Sequence, residues 1–253
     1  MRKKRSMKKI PFTKIMTSYM WKLVLRVIIF TAVFAFYIIN KEGLYQLVTE
    51  PFWNSVSFIH VLWFIFMAMM IRHIVFPKNA TMALRKADET EYEEKTKYDK
   101  LELYEYVYDQ NIKAWRVMLV WLCVNAIWGI LYLFQVLDNA DLVMLSVFYF
   151  LCDYICILFF CPFQTGIMKN KCCVNCRIYD WGHFMMFTPM LFIKNFFSWS
   201  LFFTSCIVLL HWEIIYAKYP ERFWSGSNRK LECANCKDKI CKYKRKINSL
   251  MGK

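Results

Sequence analysis

Glycine and proline are scarce, with six of each in 253 residues. A chain with so few turn formers is not loop-rich, and its long apolar blocks exclude disorder. Acids are thin as well, 19 against 34 Lys and Arg, which leaves a formal charge of +15. No nucleotide motif and no nucleophile–base pair is present, so the reading leans away from an enzyme. The start is not expected to be a secretory leader. The basic start MRKKRSMKK precedes an apolar stretch that is too long, with no small-residue cleavage site after it. What the chain has in excess is apolar surface: 58% hydrophobic residues, 19% aromatic. These features predict an all-α integral membrane protein rather than soluble domains.

A spanning helix needs about 20 apolar residues to cross roughly 30 Å of hydrocarbon. Four stretches qualify, 22–39, 52–76, 114–135 and 142–163. Charge orients them. Met1–Arg26 holds nine Lys and Arg and no acid, and 77–116 holds eight more. The opposite loops, 41–51 and 136–141, contain only Lys41. The expected arrangement is a plasma-membrane protein with a basic cytosolic N-terminus (1–21), helices 1–2 over 22–76, a cytosolic loop over 77–113 and helices 3–4 over 114–163. The segment 164–183 then lies in the cytosol.

A fifth apolar block, 184–217, is awkward. The tail 218–253 carries eleven Lys and Arg against three acids, which assigns it to the cytosol. Parity then requires the block to enter the membrane and return. Pro189 and the pair Lys194-Asn195 mark a break and a turn for such a hairpin. Its 34 residues reach only about 51 Å as α-helix. The first limb is therefore expected to be short or re-entrant. A five-span chain with an external tail is the competing arrangement.

The loop 77–113 has no Gly, and its only Pro is Pro77; close opposite charges predict a helix that extends the third span. Tyr92, Tyr98, Leu101, Tyr104, Tyr108 and Ile112 recur at helical spacing, a stripe for packing or for a protein partner. The basic termini adjoin spans, so anionic lipid headgroups are their expected contacts, at about 1 kcal/mol per cation. No nucleic-acid motif accompanies them, which argues against DNA or RNA.

Eleven cysteines are present. Cys123, Cys152, Cys156 and Cys206 fall within apolar stretches and read as packing residues. The rest cluster: Cys161, then KCCVNCRIYDWG, then LECANCKDKIC. Two C-x-x-C knuckles, Cys173/Cys176 and Cys233/Cys236, each carry Asn before the second cysteine and a basic residue after it. Two knuckles make a tetrahedral four-sulfur site with Zn–S near 2.3 Å. Structural zinc clamping loop to tail is the leading expectation. The 56 intervening residues are unusual for a zinc ribbon, but most of them belong to the hairpin. Cys172, Cys241, Cys161 and His183 are possible further ligands. An iron–sulfur cluster or a dithiol relay between the knuckles are the alternatives.

Ionisable residues inside apolar stretches are functional suspects by default. They are His60, Asp153, Lys194, His211 and Glu213. Asp153 is the strongest, and Lys194 or a histidine is its expected partner, in an ion pair or in a small transporter's path. Arg26, Arg72 and His73 lie near span ends, where snorkelling accounts for them.

Overall fold

A computed structural model describes residues 14–49, 58–76, 88–170, 172, 175–235, 240–241 and 243–244. The described chain is helical, and its strand pairing is limited to one antiparallel bridge, Glu94 to Asn228. The helices are α1 (Lys14–Ile39), α2 (Lys41–Thr49), α3 (Phe58–Val75), α4 (Lys100–Leu133), α5 (Asn139–Leu158), α6 (Gly182–Phe187) and α7 (Phe196–Lys218).

Among the described residues four helices are long and apolar enough to cross a membrane: α1, α4, α5 and α7. The first three match expected spans, and α7 matches the return limb expected of the hairpin. The second expected span, 52–76, is described only as α3, since 50–57 lie outside the described residues. The fourth expected span also stops early, at Leu158 instead of 163. Pro162 disfavours helical backbone at Cys161. A π-helical turn, Phe163–Ile167, follows.

Side-chain register fixes the directions. Along α1 and α5, Tyr19 stacks near Tyr154, Arg26 reaches Asp153, and Tyr37 reaches Asp141, so the two are antiparallel. Along α3 and α7, His60 packs on Phe197 and Trp63 donates to Ser200, so these two are parallel. One end of the bundle gathers the start of α1, the ends of α3, α5 and α7, and the segments 88–99, 159–170, 175–181 and 219–235. We term it the loop-rich end.

The hairpin is present. Its first limb is three short pieces: a 3-10 turn Tyr179–Trp181, α6, and a 3-10 segment Thr188–Phe192. Pro189 opens the last piece, where a missing N–H is tolerated. The turn falls at Ile193–Asn195, and the Asn195 side chain caps α7 by accepting from Phe197 N. The limb runs alongside α4. Arg177, just before it, has Nε 3.5 Å from Asn111 Oδ1, and Phe192 at its far end lies against Gly129. Eighteen positions of α4 separate those levels, about 27 Å at 1.5 Å per residue. Fifteen residues cover this because 3-10 turns rise about 2.0 Å each.

From Lys100 the charged loop is helical and extends the third span as expected, but the helix does not reach back to 88. Asp99 caps α4 by accepting from Leu101 N, and 88–99 are turns and extended chain. These residues instead pair with the tail: Lys95 N donates to Ser227 O, and Arg229 N donates to Glu93 O, both at 2.9 Å. Lys95–Glu232, Lys230–Glu93 and Arg222–Glu89 ion pairs surround them. Main-chain pairing with a second segment outcompetes the local helical preference. Residues 77–87 lie outside the described residues. The tyrosine stripe also faces differently from expectation. Leu101, Tyr104 and Tyr108 are exposed, while Leu103, Gln110, Ala114, Val117, Trp121, Asn125 and Gly129 form the buried seam of α4.

Candidate functional site

The cysteine-bearing segments meet at the loop-rich end. Cys176 is buried in the main core beside Met168, Ile178 and Trp212. Its neighbour Asn175 donates through Nδ2 to Leu231 O at 3.4 Å, two residues before Cys233. The two knuckle segments are therefore adjacent although 56 residues separate Cys176 from Cys233. Cys233 is exposed and Cys172 is half-buried. Cys173 and Cys236 lie outside the described residues. No disulfide joins the described cysteines. Among the described residues no three His, Cys, Asp or Glu side chains are gathered tightly enough to hold a metal as they stand.

The next residue, Arg177, is held on every side. Its guanidinium pairs with both Glu213 oxygens, stacks 3.6 Å from the centre of the Tyr216 ring, and its carbonyl accepts from Trp212 Nε1. Glu213 also accepts from Trp181 Nε1 at 2.8 Å. Glu213, a suspect from the sequence, is thus the anchor that ties α7 to the first knuckle.

A cavity of about 430 Å³ opens between α5, the π turn and the hairpin limb. Cys152, Cys156, Cys161 and Cys176 line it, with Asp153 and Tyr179. Cys156 and Cys161 neighbour each other on its wall. Beyond the end of α5, the Cys161 thiol is held below its ordinary value by the Cys156 thiol, by the Gln164 N–H at 3.4 Å, and by the Lys244 ammonium. Lys244 is itself buried, donating to Cys156 O at 2.7 Å and to Gln164 Oε1 at 2.8 Å. The tail therefore folds back under α5, and Ile240 joins the main core. Cys241 is half-buried beside it.

The intramembrane suspects sort differently from expectation. Asp153 pairs with Arg26 at 2.8 Å, not with Lys194 or a histidine, and Arg26 also lies over the Phe150 and Tyr154 rings. Arg26 is accordingly a half-buried ion-pair partner, and snorkelling does not account for it. Lys194 is exposed at the hairpin turn, far along the chain from that pair. His60 is buried with its ring edge against Phe197. His183 faces His73, with ring centres 5.8 Å apart. His211 belongs to the same neighbourhood, within electrostatic range of His73. Asp180, which the sequence reading passed over, approaches His73 Nε2 at 3.7 Å. The i, i+3 pair Asp180 and His183 was the available signal.

The fold and these sites define a class: an all-helical bundle with four helices of membrane-crossing length and polar constellations at one end. Comparison with known proteins adds no family, as no family model, curated protein or solved structure matches the chain.

Proposed function

We propose that the chain is a multi-pass plasma-membrane protein with both termini in the cytosol, in which a zinc ion clamps the loop after α5 to the C-terminal tail. Cys173, Cys176, Cys233 and Cys236 are the ligands. The ion's role is structural, and Cys172, Cys241 and Cys161 stand nearby in reserve. The observation that supports this reading is the Asn175–Leu231 contact, which sets the two knuckle segments side by side. The lysines flanking the knuckles in sequence, Lys171 and Lys237, offset the anionic charge of four thiolates. The basic termini rest against anionic headgroups, which fits the charge bias of a cytosolic face. Metal content of the purified full chain tests the reading. One zinc per chain, lost in Cys173→Ser and Cys233→Ser, is expected; a metal-free chain with unchanged cysteine accessibility overturns it. Cys233 is also expected to resist impermeant maleimide applied outside intact cells, and strong labelling refutes the orientation.

A second reading is favoured by the neighbouring Cys156 and Cys161. A lowered Cys161 thiol is a nucleophile suited to thiol–disulfide exchange with a partner disulfide, Cys156 then resolving the mixed disulfide. Brown, visibly absorbing protein would instead indicate an iron–sulfur cluster.

A further inference from the structure

A second cavity lies away from the cysteines, in the half of the bundle opposite the loop-rich end. Side chains of α1, α2, α3, α5, the hairpin limb and α7 line it, and its volume is about 140 Å³. Fourteen of its sixteen lining residues are apolar or aromatic, and none is charged. Along α5 the lining runs from Val143 to Phe150, about 10 Å at 1.5 Å per residue. The walls are held by ring contacts. Phe66 packs edge-on against Phe150 and against Phe187, with ring centres 5.4 Å apart in both pairs. Trp63 meets Phe197 in the same manner at 5.5 Å, and its indole N–H is taken by Ser200 Oγ.

The two remaining lining residues are Ser146 of α5 and Ser198 of α7. They are 3% and 1% exposed. Among the described residues neither hydroxyl has a hydrogen-bond partner. Buried hydroxyls are ordinarily bonded. Other serines of α7 bond back to their own helix: Ser200 Oγ donates to Phe197 O, and Ser205 Oγ donates to Phe202 O. Ser198 does not. Turning either free oxygen into the space takes one change of χ1 well.

The chemistry of the wall selects among occupants. Water pairs with the hydroxyls, but it needs two to four polar partners and leaves the apolar wall uncovered. A hydrocarbon fits by size, since a dry cavity of about 150 Å³ holds benzene. It leaves both hydroxyls unpaired. A charged molecule meets no counter-charge. A benzene-sized molecule with one hydroxyl satisfies both demands, because that group donates to one serine and accepts from the other. Five lining rings and the Met186 and Met190 thioethers favour an aromatic body. We infer that this cavity is a binding site for a small uncharged phenol, held by Ser146 and Ser198. The site shares no residue with the zinc clamp or the thiol pair, so it stands or falls apart from both.

The test uses the full chain in detergent with 4-fluorophenol, followed by fluorine NMR against micelles of the same detergent without protein. A saturable component of one molecule per chain is expected, bound about tenfold more tightly than fluorobenzene, the scale of one net hydrogen bond. Ser146→Ala combined with Ser198→Ala should weaken 4-fluorophenol about tenfold and leave fluorobenzene bound as before. A general loosening of the bundle would weaken both ligands together. If the double variant fails to fold, the preference of the unaltered chain for 4-fluorophenol over fluorobenzene decides. Uptake that only follows the micelles, equal affinity for the two ligands, or a preference that survives loss of both hydroxyls overturns the site.

Discussion

Glu213 and Arg177 provide the sharpest energetic test. Arg177's side chain is 5% exposed and Glu213's is 32%. Removing one member of a fully buried pair costs about 3–5 kcal/mol, because a charge is left desolvated. Glu213→Leu strands the guanidinium, and the water that reached the carboxylate lessens the loss to about 2.5 kcal/mol. Arg177→Met leaves a carboxylate that keeps the Trp181 N–H and some water. Its cost, lost stacking on Tyr216 included, is about 2 kcal/mol. The double variant removes both charges and leaves apolar groups of similar bulk, so about 1.5 kcal/mol is expected. The pair is then coupled by roughly 3 kcal/mol. Unfolding of all four proteins in mixed micelles, followed by tryptophan fluorescence, measures the cycle. Single effects that simply add would refute the claim that Arg177 depends on Glu213 for its burial.

Gly129→Ala would put a Cβ 2.4 Å from Phe192 Cζ, so a loss of about 1–3 kcal/mol is expected, largely recovered by adding Phe192→Ala; an unaltered melting midpoint for the single variant contradicts the packed limb. Gln135 holds φ at 59° after α4, where Val136 N bonds Leu131 O and Gln135 N bonds Tyr132 O. Gln135→Gly should stabilise by about 0.5–1 kcal/mol, since glycine adopts that backbone without strain, and a lower midpoint would count against it. The lowered Cys161 thiol carries a larger thiolate fraction at neutral pH than an ordinary thiol, so its alkylation should persist further towards acid. Coincidence with the profile of a model thiol would dispose of the dithiol reading. Lys244→Met removes both donors that hold the tail beneath α5, and faster proteolysis of the tail is expected.

Much of the architecture follows from the sequence alone because it depends on totals. Long apolar runs demand helices in lipid, since backbone polar groups must be satisfied within the segment. The polar pair Lys194-Asn195 marked a turn in the last apolar block, and the chain turns there. The adjacency of the two knuckle segments was likewise implied by repeated motifs on one side of the chain.

Partner choice was not legible, because it depends on distances in space. Asp153 had several candidate cations, and only the antiparallel packing of α1 on α5 selects Arg26. Helical propensity over 88–113 holds from Lys100 onward, yet main-chain bonds from 93–95 to 227–229 decide otherwise for the residues before it. The limb's 3-10 rise, which stretches few residues alongside α4, is set by packing against that helix. His73 looked like a span-end residue by position. The parallel packing of α3 and α7 around the hairpin limb brings it to Asp180 and His183, a convergence that no periodicity along the chain encodes.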